Sequence, residues 1–273
     1  MVPITQSDLS FYNQQGYLII RSAFGQARIQ SLIDAVERLM DRALAGECEI
    51  GWIDRDARLL QRTGSLMSPD KYDPVYGDWL GGELAPHLET LIAGGQVRHS
   101  LFGMLAGGGG QAYRQNWHRD LCIPGSSGEA AYLRRHHGHF VQFNVPLLPG
   151  DRFLHIVPAS HLRASTAAEI QAAEVGEQAA MPDAISVELE PGDAVYYNAN
   201  LWHRGWNPAG VNRWTMHAAF WSVAYPVMKH EYGQREAILQ LGYLEQMPAI
   251  ATKYIRRYLE QYPEGEPQTL FDL

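Results

Sequence analysis

The sequence is poor in cysteine, with only Cys48 and Cys122 among 273 residues. Two thiols are too few for a disulfide scaffold, and their spacing fits no zinc motif. A reducing, cytoplasmic setting is the expectation, with Cys122 a packed apolar side chain rather than a reactive thiol. Long apolar runs are missing as well. No stretch approaches the roughly 20 residues of a membrane span, and residues 1–5 lack the charged-then-apolar start of a signal peptide. Clustered positive charge is also absent. The net charge is −8 and the 22 Lys and Arg residues are scattered, which speaks against a nucleic-acid or acidic-membrane partner. Aromatic residues, at 11%, select no ligand class. What is present is a globular mixture, 46% apolar and 19% charged, sufficient for a sizeable core. No linker, repeat or composition shift divides it, so one domain over 1–273 is expected. Oligomeric state is not legible.

The patterning predicts helices outside and strands within. Ser7-Asp8 opens a short helix that ends near Gly16, and residues 17–20 read as a strand. Between 26 and 45, Ile29, Leu32, Ile33, Val36, Leu39, Met40 and Leu44 recur at helical spacing as one buried stripe. Residues 46–86 carry Gly, Pro, Asp and Tyr throughout, which predicts long loops of the kind that cover binding sites. From Gln96 onward, β-type runs at 140–147, 153–157, 185–189, 194–198 and 214–221 are separated by Pro, Gly and Asp turns. In the first of these, Val141, Phe143 and Val145 share one face, while Phe140, Gln142 and Asn144 share the other. Polar groups inside an apolar strand set predict a face that lines a pocket. After Val227 the chain returns to helix, with Ile250, Tyr254, Ile255, Tyr258 and Leu259 as its stripe. The fold class is therefore mainly β with flanking helices.

The chemistry concentrates at His118-Arg119-Asp120, His203 and Arg213. Residues i and i+2 of a strand point to one side, so His118 and Asp120 would project inward together while Trp117 and Arg119 point away. His203 lies 85 residues after His118 and would arrive from a neighbouring strand. Two histidines and one carboxylate are the ligand set of a mononuclear non-haem Fe(II) site with open positions on its other face. Spacing alone leaves this undecided, because 11 histidines make a chance match ordinary. His136, His137 and His139 are rivals on paper, although their loop has no carboxylate in register. It carries Arg134 and Arg135 and reads as a solvated or substrate-facing loop. His155 and His161 flank a turn and read as structural or supporting groups, and His217 as a satisfied core histidine that could border the pocket. Arg213, ten residues after His203, stands in an apolar strand where an inward arginine needs an anionic partner. Its planar fork suits a carboxylate, and Thr215 on the same face could donate to that carboxylate too. The glycine run 107–110 lacks the Lys-Ser/Thr of a phosphate loop and reads as a hairpin or lid hinge.

In combination these residues resemble the phytanoyl-CoA dioxygenase family of Fe(II)/2-oxoglutarate oxygenases. The stretch Phe11-Tyr12-Asn13-Gln14-Gln15-Gly16-Tyr17 resembles its N-terminal helix–Gly–Tyr–strand. Val157-Pro158-Ala159-Ser160-His161 resembles its Pro-Gly-Ser-His turn, with Ala159 in the glycine place. Pro191-Gly192-Asp193 through Leu201-Trp202-His203 matches the segment carrying the distal ligand. The resemblance covers residues 5–225 and implies a double-stranded β-helix (jelly-roll, cupin-like) core. It implies His118, Asp120 and His203 as iron ligands and Arg213, supported by Thr215, as the anchor for the far carboxylate of 2-oxoglutarate. Gln142 or Asn144 falls near positions that contact co-substrate or substrate. The implied cofactors are Fe(II), 2-oxoglutarate and O2, and the implied reaction hydroxylates a small molecule with release of succinate and CO2. Two other readings stay open: a binding module on the same fold that no longer turns over, and a halogenase. Halogenation usually needs the ligand carboxylate removed, and Asp120 is present.

Overall fold

The computed structural model describes residues 2–108, 112–176, 178–228 and 233–263. Gly109 and Gly110 of the glycine run, and the Pro/Glu/Gly-rich tail from 264, lie outside the described residues. The chain starts with α1 (Gln6–Gln15), whose first turn is closed by a capping box between Thr5 and Asp8. Gly16 ends it in the left-handed region at φ 79°, and β1 (Tyr17–Ile20) follows. Helix α2 (Gln26–Leu44) buries Ile29, Leu32, Val36, Leu39 and Met40. Leu44, placed in the same stripe by spacing, is exposed because the last turn runs past the surface it packs on.

Residues 46–86 are not the long loops their composition predicts. They hold a small hairpin, β2 (Trp52–Asp54) and β3 (Leu59–Leu60), and then α3 (Pro74–Trp79), which runs through a π turn (Leu80–Leu84) into α4 (Ala85–Leu91). Trp79, Leu80 and Leu84 are fully buried. Glycine in this stretch marks tight packing rather than slack. A Cβ on Gly77 would lie 2.2 Å from the Tyr72 hydroxyl.

The β core has two antiparallel sheets. The larger is ordered β1-β9-β6-β11-β4 and the smaller β5-β10-β7-β8. Their strands are β4 (Val97–Gly107), β5 (Tyr113–Arg114), β6 (Phe140–Pro146), β7 (Asp151–Ile156), β8 (Ile185–Leu189), β9 (Ala194–Tyr197), β10 (His203–Asn207) and β11 (Arg213–Ser222). This is a double-stranded β-helix, in which alternation along each strand sends one set of side chains inward and the other outward. On the outer face of the larger sheet, Val141, Phe143, Val145, Met216, Ala218 and Phe220 join the core formed with α2, α3 and α4. The remaining helices are α5 (Glu129–Arg135), α6 (Ala167–Val175), α7 (Arg235–Ile238) and α8 (Ala249–Glu260). In α8 the buried residues are Ala251, Tyr254, Ile255 and Tyr258, while Ile250 stays at the surface. Among the described residues no helix is long and apolar enough to cross a membrane.

Two backbone positions make opposite predictions. A Cβ on Gly16 would come within 2.5 Å of His161 Nδ1 and 2.8 Å of Leu201, in a conformation that already disfavours L side chains. Gly16→Ala is expected to cost about 2 kcal/mol, combining that penalty with overpacking. Ala159 pays the same backbone penalty now, at φ 58°. Ala159→Gly is expected to stabilise by roughly 0.5–1 kcal/mol. Urea unfolding midpoints at constant m would check both.

Candidate metal centre

A cavity of about 260 Å³ lies between the two sheets. The larger sheet supplies Gln142 and Asn144 from β6, Tyr197 from β9, and Arg213 and His217 from β11. His203 of β10 reaches it from the smaller sheet. His118 and Asp120 come from an extended segment that pairs with the start of β10. His118 N–H donates to His203 O at 3.1 Å and His203 N–H donates to His118 O at 3.0 Å. This reciprocal pair sets the two residues directly opposite each other. Asp120 N–H donates to Ala199 O at 3.0 Å and continues the pairing. Trp117 and Arg119, alternating with the cavity-facing pair, are buried on the other side.

The side chains converge. One ligand atom from each of His118, Asp120 and His203 lies within 4.8 Å of the others. His118 Nε2 is 3.3 Å from Asp120 Oδ1, and His203 Nε2 is 3.7 Å from the same oxygen. Adjacent ligands at about 2.1 Å from one ion are separated by roughly 3 Å, so small adjustments would close the set on a metal. Both imidazoles are oriented for that task. His118 Nδ1 faces Asn116 O at 2.8 Å and His203 Nδ1 faces Leu201 O at 2.9 Å. A carbonyl only accepts, so Nδ1 of each ring carries a proton and Nε2 is the nitrogen turned to Asp120. In the metal-free site burial would lower the His118 pKa, but the hydrogen bond and charge of Asp120 outweigh it and raise it. A metal would take the place of the Nε2 proton. Gln142 Nε2 donates to Asp120 Oδ2, leaving Oδ1 toward the histidines. Burial alone would raise the Asp120 pKa. His203, His118 and the Gln142 amide outweigh it and hold the carboxyl well below the usual carboxylate range. His203 is pushed down to about 4, by burial first and then by His118. The donor set is thus an anionic oxygen and two imidazole nitrogens on one side of a polar cavity, which fits a divalent metal with open positions.

Arg213, the first residue of β11, is buried at 3% exposure and lines the same cavity. Its Nε donates to Thr215 Oγ1 at 3.0 Å, and that hydroxyl donates to Asp151 Oδ2 at 2.5 Å. Thr215 was expected to donate to a ligand carboxylate directly. Its single proton goes to Asp151 instead, so Thr215 orients Arg213. Phe153 supports the guanidinium from 4.8 Å. Asn144 Oδ1 accepts from His217 Nδ1 at 2.8 Å, which fixes the ring.

His217, read as a satisfied core histidine that could border the pocket, is both: it is buried and hydrogen-bonded to Asn144, and it lines the wall. Gln115, Tyr197 and Arg62 line the cavity too and were not singled out by the sequence. Arg62, from the stretch expected to be loop, is an exposed cation of the lining with no ion pair among the described residues. Nothing in its neighbours' spacing marks it, since only tertiary folding brings it to β4. The other candidates lie elsewhere. None of Arg134, Arg135, His136 and His137 lines the cavity. His136 packs against Tyr132 and Tyr225, and His137 stacks on His161 at 5.4 Å. His155 sits between Trp117 and Trp206. Cys122 is buried, and burial pushes its thiol up to about 11, which makes it inert.

Buried histidines give the metal-free protein a defined pH response. Burial lowers His161 from 6.5 to about 4 and His217 from 6.5 to about 3. Between the folded and unfolded values the unfolded chain binds more protons, so stability falls as pH falls. The loss is expected to begin near pH 6.5 and to continue to about pH 4 for His161 and about pH 3 for His217. Urea midpoints of the apoprotein at about pH 7.5, 6 and 5 would show progressive weakening.

The family model for phytanoyl-CoA dioxygenase (PhyH) matches residues 12–207. The search of curated proteins found no match. Among solved structures, AviO1 from Streptomyces viridochromogenes Tue57 is similar at 19% identity and TM-score 0.60, covering 83% of this chain and 99% of that one. EctD from S. alaskensis, solved with 2-oxoglutarate and 5-hydroxyectoine, is similar at 14% identity and TM-score 0.63, covering 93% and 88%. The epimerase SnoN, in complex with Fe3+, alpha ketoglutarate and nogalamycin RO, is similar at 17% identity and TM-score 0.57, covering 80% and 83%. These structures share the fold, and the match over residues 12–207 decides the family. By that match, on a strand framework that draws His118, Asp120 and His203 together, this chain belongs to the phytanoyl-CoA dioxygenase family.

Proposed function

We propose that the chain, acting as one catalytic domain, is a non-haem Fe(II)- and 2-oxoglutarate-dependent dioxygenase that hydroxylates an unactivated C–H bond of a small metabolite. The observation that carries this reading is the convergence of three ligand atoms within 4.8 Å in the cavity that also holds Arg213. His118, Asp120 and His203 would hold the iron, which when bound supplies the open positions where O2 is consumed as 2-oxoglutarate becomes succinate and CO2. The protein's part is orientation and exclusion of water. Arg213 would grip the far carboxylate of 2-oxoglutarate, aimed by Thr215 and Asp151. Gln142 keeps one Asp120 oxygen turned to the histidines, and Asn144 fixes the His217 ring at the wall.

Space for the metabolite lies next door. A second cavity of about 240 Å³ shares Arg62, Leu101, Leu105 and His217 with the first. It runs along β4 beneath Thr63, Gly64 and Ser65. A mixed lining of this size suits a small, partly polar compound.

The structures of similar fold include an epimerase and a carbocyclase, so the product decides the outcome. Anaerobic reconstitution with Fe(II) should give iron-linked binding of 2-oxoglutarate. Succinate release should then identify a substrate in a metabolite extract, with a product heavier by one oxygen. Absence of iron-linked 2-oxoglutarate binding overturns the proposal. A product of unchanged mass, or one lighter by two hydrogens, replaces hydroxylation with isomerisation or oxidative cyclisation.

A further inference from the structure

Arg119 lies between two of the proposed ligands in sequence and faces away from the cavity, its side chain fully buried beside Glu129. A buried guanidinium is costly unless its donors are used. Here they are used mainly on backbone that carries the site. Arg119 donates to Asn200 O, to Ser160 O at 2.9 Å, to Arg163 O at 3.4 Å and to Ser165 Oγ at 3.3 Å. Its Nε lies 3.1 Å from Glu129 Oε1, and its plane covers the Trp202 ring at 5.1 Å. Asn200 and Trp202 belong to the turn that delivers His203. One cation therefore ties the His118/Asp120 segment to that turn, from the side opposite the cavity.

Glu129 extends the same network. As the first residue of α5 it accepts from Gly125 N at 2.9 Å, from Ser165 N at 2.9 Å and from Ser165 Oγ at 2.6 Å. Ser165 Oγ also accepts from Trp202 Nε1 at 3.1 Å. The chain after Asp120 is thus tied to the metal-centre scaffold through Glu129 and Ser165.

We propose that Arg119, held by Glu129, is the positioning residue of the metal centre: it sets the separation between the His118/Asp120 pair and His203, and so the affinity and geometry with which a metal is held. This rests on the Fe(II) reading above. Groups that orient metal ligands are worth about 10–100-fold in metal affinity, and the Arg119 network contacts both ligand segments.

Co(II) is the probe, because its visible spectrum reports both occupancy and ligand geometry without turnover. Removing Arg119 alone would strand Glu129, so the informative variant is the double Arg119→Met/Glu129→Leu, which leaves no lone buried charge. It is expected to melt lower than wild type, because Gly125 N–H and Ser165 N–H lose their acceptor. It should also bind Co(II) about 10–100-fold more weakly with a shifted spectrum, a loss that an equally destabilised variant elsewhere in the fold does not show. Arg119→Lys, which keeps the charge but loses the fork, should recover part of the affinity. Gly77→Ala, whose added Cβ would meet Tyr72 and Pro248 away from the cavity, serves as a control, with a lower melting temperature but unchanged Co(II) affinity. An unchanged Co(II) affinity and spectrum in the double variant overturns the positioning role, as does a loss that simply tracks melting temperature in all variants. Failure of the wild-type protein to bind Co(II) overturns the metal reading itself, and is distinguishable from both.

Discussion

Asp120→Asn is expected to abolish iron-dependent succinate formation, by about three powers of ten or more, while the metal-free protein still folds. The carboxylate is the anionic member of the three donors, and its Oδ1 lies between the two imidazoles. Loss of a ligand charge facing a divalent ion is worth several kcal/mol, and each 1.36 kcal/mol is about tenfold in rate. Geometry adds to the charge effect. With the amide oxygen toward the histidines, the new NH2 would face the Gln142 Nε2 that now donates to Asp120 Oδ2, donor against donor. With the amide flipped, the NH2 would point at the metal position. A flip of the Gln142 amide, presenting its own oxygen to the new NH2, relieves the first orientation, but the ligand charge is lost all the same. Direct titration with Fe(II) or Co(II) separates loss of metal from loss of fold, and a variant with wild-type metal affinity would remove Asp120 from the ligand set.

The strands that build the walls were legible because their chemistry is local. In residues 140–145 alternation alone separated Val141, Phe143 and Val145, which pack outward in the core, from Gln142 and Asn144, which line the cavity. The periodic stripe of α2 was legible for the same reason. Residues 46–86 were not. Their helices are short, α3 having 6 residues, so no apolar period is repeated long enough to register. Gly77 reads locally as a breaker, although it is there because Tyr72 packs against its bare Cα. Burial of Trp79 and Leu80 is decided by what lies across the fold, which composition does not encode.

At the site, His118 and Asp120 were legible from their i, i+2 spacing, but the partnership with His203 needed the family pattern. Spacing gives no reason to prefer His203 over His155 or His217, because the deciding contact is a backbone pairing between segments 85 residues apart. Arg62 was invisible for a related reason. It is one exposed arginine among many until the hairpin region folds against β4. Thr215 shows a finer limit: its face was predicted, but the direction of its hydroxyl depends on Asp151, which reaches it from β7. Arg119 is similar, since alternation shows that it points away from the cavity and says nothing of Glu129, Asn200 or Ser160.

Arg213→Met is expected to raise KM for 2-oxoglutarate by roughly 30-fold to several thousand-fold, from the 2–5 kcal/mol that truncating one partner of a buried, hydrogen-bonded charge pair costs. At saturating co-substrate kcat should change far less, because the contact is equally present in ground and transition states. Arg213→Lys should fall between, keeping the charge and losing the two-pronged match to a carboxylate. Metal affinity should be unaltered in both, since Arg213 is no ligand. The substitution also leaves Asp151, 2% exposed, without its nearby cation, and some loss of stability is expected. Asp151→Asn in the same chain should restore stability without restoring KM, which separates the two roles. Anaerobic 2-oxoglutarate titration of the Fe(II) protein would measure the affinity directly. An unchanged KM would mean that Arg213 serves Asp151 alone. The far carboxylate would then need the cavity's other arginine, Arg62, and the double variant would decide between them.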